Sequence, residues 1–134
     1  MTDVPREAER LLTSEPLMAH LATCREGRPH VAPVWYVYDP DEDVVELVTA
    51  GRKLANLREN PRVALSVQKD RDGHAQWTVT LLGTARVVDD EAATRAATRR
   101  INAKYDASED AWAENRLVRV SVGSASVRTY DRGQ

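Results

Sequence analysis

The sequence predicts a mainly β fold, a β-barrel with peripheral helices, and three observations favour it. The chain has 134 residues, a length that suits one compact domain with a single core. Six or seven short segments show the alternating or β-branched pattern of strands. Most of these segments are joined by short turns and not by helices, which argues against repeated βαβ units. We therefore expect one domain over residues 1–134.

The first part of the chain is predicted to form one helix and two strands. Residues 5–12 have the apolar spacing of a short helix, with Leu11 and Leu12 on its apolar face. Alternation over residues 17–25 predicts a strand. A Glu-Gly pair then predicts a hairpin turn, which leads into a second strand over residues 29–38.

Further strands follow an acidic turn at residues 39–43. The longest β-type run contains Gly83, which predicts a bulge or bend of the kind found in a curling sheet. We expect these strands at residues 44–49, 63–69 and 76–88 and, as one strand or two, at 117–122 and 125–130.

A long helix is predicted over residues 89–104, because acidic residues open this segment and basic residues close it, as the helix macrodipole favours. Small apolar residues at helical spacing, Ala93, Ala97 and Ile101, predict a narrow packing face. We therefore expect this helix to lie close against the barrel. Residues 111–115 predict a further helical turn.

A second, shorter helix is predicted to start near Arg52 and to stop before Pro61. The first amides of a helix are unpaired and carry roughly half a positive charge, so acidic residues are favoured there. This helix instead starts with Gly51, Arg52 and Lys53. The pattern predicts an anion site, most plausibly for a phosphate, with Thr49 as an added hydroxyl donor. The alternative is a pair of solvated cations on an exposed turn.

Composition narrows the functional classes. The formal net charge is -2 and the pI is about 5.9, so no basic field of the kind that drives nucleic-acid binding is present. No run approaches the roughly 20 apolar residues of a membrane span, and the N-terminus does not resemble a secretory signal. We expect a cytoplasmic protein without membrane or nucleic-acid partners. Cys24 is the only cysteine, which excludes an internal disulfide and a thiolate metal cluster.

Four segments in order carry a family resemblance. They are Leu21-Ala-Thr23, Gly27-Arg-Pro-His-Val-Ala-Pro-Val-Trp35-Tyr36, Thr49-Ala-Gly-Arg-Lys53 and Asn56-Leu-Arg-Glu-Asn-Pro-Arg-Val-Ala-Leu65. Their order and spacing resemble the pyridoxamine 5'-phosphate oxidase-like family of flavin- and deazaflavin-binding proteins. The resemblance implies a six-stranded antiparallel split β-barrel of the FMN-binding type and a homodimer with two cofactor sites between the subunits.

The resemblance also assigns cofactor-binding residues. The family's phosphate-binding element falls on Thr49, Arg52 and Lys53, the residues that the charge pattern singles out. Main-chain groups near the flavin ring are implied at Ala32, Pro33, Val34 and Trp35, although Pro33 has no N–H to donate. Only one of Trp35 and Tyr36 can face the groove if the strand alternates. Two further candidates are Gln68, as an amide donor, and Trp77, as a stacking residue from the second subunit.

The activity implied is oxidoreduction, with hydride passing to or from a small organic substrate on a bound FMN. Two alternatives remain open: a reductase that uses the deazaflavin coenzyme F-420, and a non-catalytic carrier of flavin or haem. The family's vitamin B6 oxidases carry a C-terminal basic and aromatic segment that this sequence lacks, so we do not expect that activity. No side chain is predicted to be catalytic and no metal is expected, because His20, His30 and His74 lie on separate segments and the cofactor carries the redox chemistry.

Overall fold

A computed structural model describes residues 4–130, and its strands form one antiparallel sheet. The mainly β fold predicted from the sequence is confirmed. In chain order the elements are α1 (Arg6–Leu12), β1 (Ala19–Arg25), β2 (Arg28–Val34), β3 (Val37–Asp39), β4 (Val44–Thr49), α2 (Gly51–Glu59), β5 (Arg62–Arg71), β6 (His74–Val88), α3 (Glu91–Lys104) and β7 (Arg116–Thr129). The strand order across the sheet is β2-β1-β5-β6-β7-β4-β3.

The sheet has seven strands within residues 4–130, which agrees with the six or seven that the strand pattern predicts and is one more than the six that the resemblance implies. The predicted strand at residues 29–38 divides in two. Val34, the last residue of β2, pairs with Ala19 of β1, whereas Val37 opens β3 and pairs with Glu46 of β4. Residues 35–36 carry the chain from one end of the sheet to the other, since β2 and β3 are its two terminal strands. The alternation of side chains along the sequence does not show where the neighbouring strand changes, which is why the pattern predicts one long strand there.

The C-terminal β segment is one continuous strand of 14 residues, β7, which lies between β6 and β4. The bend predicted at Gly83 is confirmed, because the register between β6 and β7 shifts between Leu82 and Gly83. A Cβ atom at Gly83 would collide with the main-chain oxygen of Ser121. Glycine is therefore required by the close approach of the two strands at this point.

The helices cover the sheet with small and apolar faces. Leu11 and Leu12 of α1 are buried in the main core, and α3 buries Ala97 and Ile101 of its predicted stripe, whereas Ala93 is only half-buried. The carboxylate of Glu46 joins α3 to the sheet: it is 6% exposed, and its Oε1 accepts a hydrogen bond from Arg100 Nη2 at 2.7 Å. Within residues 4–130, no helix is long and apolar enough to cross a bilayer, and the cytoplasmic location stays a prediction.

Candidate functional site

The start of α2 lacks every feature that usually neutralises a helix N-terminus. Its N-cap, Ala50, is extended and offers no side-chain hydrogen bond, and the first turn contains no acidic residue. Gly51 has a φ of +66°, a left-handed conformation that glycine adopts at little cost. The first amides of α2 and the cations of Arg52 and Lys53 therefore leave this end of the helix electropositive.

An apolar cavity of about 370 Å³ opens beside this helix start. Its volume lies within the roughly 300–1,000 Å³ range of small-molecule sites. The cavity is enclosed by the ends of β2 and β4, the start of α2, and residues of α3 and of the segments before β1 and β7. Its lining residues are Met18, Pro33, Val34, Trp35, Val48, Thr49, Ala50, Lys53, Ile101, Trp112 and Asn115. The lining is mostly apolar with a few polar groups, among them one cation, an arrangement that suits a planar ring system with an anionic end.

Thr49 provides the strongest sign that this cavity takes a ligand. The residue is 1% exposed, and its Oγ1 is buried without any hydrogen-bond partner. A buried hydroxyl without a partner costs free energy, so native proteins rarely leave one unsatisfied. A ligand oxygen held at the first turn of α2 would accept a hydrogen bond from this hydroxyl. The residues present at this end of the cavity therefore fit a phosphate group.

Trp35 and Tyr36, the two aromatic residues after β2, face opposite sides of the chain, as the alternation of a strand predicts. Trp35 lines the apolar cavity, and its ring stacks on Tyr105 with centroids 4.8 Å apart and an interplanar angle of 7°. Tyr36 turns into the core at 1% exposure, where its hydroxyl donates to the main-chain oxygen of Leu12 at 2.7 Å. Burial raises the pKa of Tyr36 well above its ordinary value. Trp35 is therefore the member of the pair that faces the candidate site.

The end of α3 supports this aromatic wall from behind. The hydroxyl of Tyr105 donates to the main-chain oxygen of Leu17 at 2.6 Å and accepts from the amide of Tyr36 at 3.2 Å. Lys104 Nζ donates to the main-chain oxygen of Tyr36 at 2.9 Å and lies 3.7 Å from the centroid of the Tyr36 ring. Burial lowers the pKa of Lys104 to about 8 and raises that of Tyr105 to about 12. These contacts fix the position of the Trp35 ring.

A second cavity, which we call the arginine cavity, lies on the other side of the α2 start. Its volume is about 400 Å³, and Arg25, Glu26, Arg28, Pro29, His30, Arg52 and Asn56 line it. Arg25 is paired with Glu59. The imidazole Nδ1 of His30 is buried without a partner. The adjacent cations of Arg52 and Lys53 therefore serve different cavities, with Lys53 beside the apolar one and Arg52 beside the arginine cavity.

Four of the predicted site residues do not line the apolar cavity, and one of them, Arg52, lines the arginine cavity instead. Ala32 is half-buried within β2, opposite Leu21. Gln68 is exposed on β5, where its side-chain oxygen accepts from Thr78 Oγ1 at 3.5 Å. Trp77 is 9% exposed and belongs to the main hydrophobic core. The structure thus gathers Pro33, Val34, Trp35, Thr49 and Lys53 around one cavity and leaves the other four elsewhere.

Sequence reasoning missed six residues that line the apolar cavity: Met18, Val48, Ala50, Ile101, Trp112 and Asn115. Met18 precedes β1, and Ile101 was assigned only a packing role on α3. Trp112 had one usable signal, since a tryptophan within the otherwise small and polar stretch of residues 108–115 needs an explanation. Their convergence is a product of the tertiary fold, which spacing along the chain does not encode.

The fold and the site together define an antiparallel β protein with a ligand-sized apolar cavity and a cationic helix start. The family model for pyridoxamine 5'-phosphate oxidase matches residues 4–127. The chain therefore belongs to the pyridoxamine 5'-phosphate oxidase family, as its motifs indicated. No curated protein matches the sequence significantly.

Solved structures establish the split-barrel fold. An FAD-binding protein from Mesorhizobium loti is similar at 22% identity, with 96% of each chain covered and a TM-score of 0.77. An F-420 reductase is similar at 27% identity over 87% of this chain and 94% of that chain, with a TM-score of 0.72. The haem storage protein from Vibrio cholerae is similar at 18% identity over 92% of this chain and 93% of that chain, with a TM-score of 0.74.

Proposed function

We propose that this chain is a flavin-dependent oxidoreductase that acts as a homodimer and passes hydride to or from a small organic substrate. The observation that carries the proposal is the buried hydroxyl of Thr49, which has no partner and lies beside the uncapped start of α2. FMN is the cofactor we propose first. When bound, it supplies the hydride chemistry, and the protein supplies orientation and electrostatics.

The phosphate of the cofactor is assigned to the first turn of α2. Lys53 lines the cavity there, and the amides of this turn point away from the helix without a side-chain cap. An anion at this position gains charge-assisted hydrogen bonds and a favourable interaction with the helix dipole. Thr49 donates its hydroxyl to the same group.

The ring of the cofactor is assigned to the apolar cavity, beside the end of β2. Because β2 is a terminal strand of the sheet, one side of its main chain has no neighbouring strand. Trp35 offers its amide there, whereas the amide of Tyr36 already donates to Tyr105 and Val34 is paired with Ala19 of β1. Such donors stabilise negative charge on a reduced ring.

Coenzyme F-420 is the second candidate cofactor, and two observations favour it. Of the three similar solved structures named above, the one with the highest sequence identity, 27%, is an F-420 reductase. The arginine cavity adds Arg28 and Arg52 beyond the α2 start, and a long anionic tail would be attracted to these cations.

A second copy of the chain is proposed to cover the outer face of β2, β1, β5 and β6. One register row crosses this face, because Val31 pairs with Ala22, Ala22 with Ala64, and Ala64 with Leu82. Val31 and Leu82 are 64% and 54% exposed, and the alanines between them are half-buried. A flat row of exposed aliphatic side chains flanking small ones favours sheet-face association.

The test is the visible absorption spectrum of the freshly purified protein, followed by calorimetric titration with FMN and with F-420. We expect one of the two to bind tightly, at one site per subunit, to a protein that sediments as a dimer. Reduction of the bound cofactor should then be transferable to an organic acceptor. Binding without turnover would identify a carrier. Absence of binding to either cofactor would refute the proposed function.

A further inference from the structure

The segment between α3 and β7 exposes a tryptophan at the mouth of the apolar cavity. Trp112 is 53% exposed, one of four large apolar side chains exposed within residues 4–130. Met18, at 40% exposure, is another, and both line the same cavity. Two exposed apolar side chains that converge on one opening indicate a surface meant to contact an apolar ligand.

The main chain at Trp112 is in an uncommon conformation. Its φ is +60°, in the left-handed region that bulky side chains rarely adopt. Such conformations persist only where the surroundings impose them, and they concentrate at functional sites. The conformation places the indole at the cavity rather than in the core.

Asn102 imposes this conformation from the buried face of α3. The residue is 1% exposed, and its side-chain amide donates to the main-chain oxygens of Glu109 at 3.0 Å and Ala111 at 2.8 Å. Arg99, on the same helix, pairs with Glu109 and Asp110 at 3.4 Å. These contacts hold the residues immediately before Trp112.

The indole is set at a right angle to its aromatic neighbour. Trp112 meets Trp35 with centroids 6.4 Å apart and an interplanar angle of 89°, whereas Trp35 stacks flat on Tyr105. Two perpendicular aromatic walls therefore bound the cavity. A perpendicular neighbour can cover at most one of the two flat faces of an indole, so Trp35 leaves at least one face of Trp112 for stacking with a ligand.

We propose that Trp112 is the substrate-side wall of the apolar cavity, on which a planar conjugated acceptor stacks, and that Asn102 is the residue that positions it. This inference rests on the proposed function, because it needs the cofactor ring to occupy the side of the cavity formed by β2. On this proposal, Trp112 decides whether the site prefers planar or non-planar acceptors. Trp112 is not one of the residues that we assign to the phosphate or to the ring of the cofactor.

The test compares the binding of 6-nitroquinoline, a neutral planar probe, with that of nitrocyclohexane, which carries the same nitro group on a saturated ring. Calorimetry is done on the purified dimer with and without its cofactor. We expect Trp112→Ala to weaken 6-nitroquinoline binding about fivefold or more and to leave nitrocyclohexane and cofactor affinity within about twofold. Trp112→Phe should restore most of the loss.

Asn102 is tested through a double-mutant cycle. Asn102→Asp keeps the side-chain shape but removes both donated hydrogen bonds, and it should weaken 6-nitroquinoline binding as Trp112→Ala does. If Asn102 acts through Trp112, the double variant should be no weaker than Trp112→Ala alone. A merely structural role would instead lower the affinity for cofactor and both probes together. Circular dichroism verifies folding, and Trp112→Ala alone decides the matter if Asn102→Asp does not fold.

The inference is overturned if Trp112→Ala binds 6-nitroquinoline as the wild type does, or if neither protein binds it. It is also overturned if the variant loses cofactor affinity, which would make Trp112 a cofactor contact, or dissociates into monomers, which would make it an interface residue. Failure of the proposed function is separate, since it appears as absence of FMN and F-420 binding to the wild type.

Discussion

The two longer helices, α2 and α3, begin in opposite ways. At α3 the carboxylate of Asp90 accepts a hydrogen bond from the amide of Ala93 at 3.0 Å, and Glu91 adds a negative charge to the first turn. At α2 the N-cap residue is Ala50, whose side chain forms no hydrogen bond, and the only charged residues of the first turn are the cations Arg52 and Lys53. Both N-caps are extended, but α2 then begins with Gly51 at a φ of +66°, a left-handed conformation that Glu91 at the start of α3 does not adopt. The start of α3 pairs one of its amides with a side chain, whereas the start of α2 has no such bond, as the proposed phosphate site requires.

The largest expected effect comes from removing a cation at the α2 start. Lys53→Ala should weaken FMN or F-420 binding about tenfold or more, because one charge-assisted hydrogen bond contributes on the order of 1.5–3 kcal/mol. Calorimetry measures the affinity, and the free energy of unfolding should change little. The matched control is Arg95→Ala in α3, which removes a cation near a capped helix start. Equal affinities for wild type and Lys53→Ala would contradict the phosphate assignment.

The next effect tests the capped helix. Asp90→Ala removes the hydrogen bond to Ala93 and should lower the free energy of unfolding by about 1 kcal/mol. Urea denaturation measures this loss. Cofactor affinity should stay unchanged, since Asp90 lies outside both the apolar and the arginine cavity. Tighter cofactor binding by Asp90→Ala would instead place the anion at the start of α3, because the removed carboxylate repels a phosphate there.

A cap introduced at the α2 start sharpens the comparison. Ala50 has the extended conformation of an N-cap, with φ -154° and ψ -177°. Ala50→Asp should therefore raise the free energy of unfolding by about 0.5–1 kcal/mol and at the same time weaken cofactor binding, because the new carboxylate occupies the amides and repels a phosphate. Ala50→Ser, a neutral cap, serves as the control for charge. A variant that gains both stability and affinity would contradict the idea that the two compete.

The effect that is absent at neutral pH and appears only above about pH 8 concerns the other end of α3. Burial lowers the pKa of Lys104 from 10.5 to about 8 in the folded protein. Between these values the unfolded state binds a proton that the folded state has lost, so this group makes the free energy of unfolding rise with pH. Relative to Lys104→Met, which cannot titrate, the wild type should gain stability between about pH 8 and about pH 10. Urea denaturation at several pH values measures the difference, and a constant difference would rule out the lowered pKa.

Much of the fold was readable from the sequence because local patterns determine it. The alternation before β2, the Gly83 bend and the charge gradient of α3 each follow from spacing within one element. The division of the 29–38 segment was not readable, because residues 35–36 are as β-like as their neighbours. The segment divides there because β2 pairs with β1 whereas β3 pairs with β4. The choice of partner strand depends on the fold of the whole sheet and not on the residues at the division.

The candidate site was predictable at one end. Arg52 and Lys53 break a local electrostatic rule, and such a break can be seen in the sequence alone. The opposite end of the cavity could not be found in that way. Trp112 lies more than fifty residues from Lys53 along the chain, and only the fold brings both to one cavity. Nor could the sequence show that Arg52 and Lys53 would line different cavities.

The place of β7 inside the sheet has a consequence for how the chain is synthesised. Within residues 4–130, β3 and β4 join the other strands only through β7, the last strand to leave the ribosome. Residues 37–49 therefore gain a neighbouring strand outside their own hairpin only when residues 116–129 are available, and contacts so distant in sequence close slowly. Pulsed hydrogen exchange during refolding should find the amides of β1 and β5 protected before those of β4. The sheet over residues 4–130 can therefore be completed only after β7 has been synthesised, although β7 is the last of these strands in the chain order.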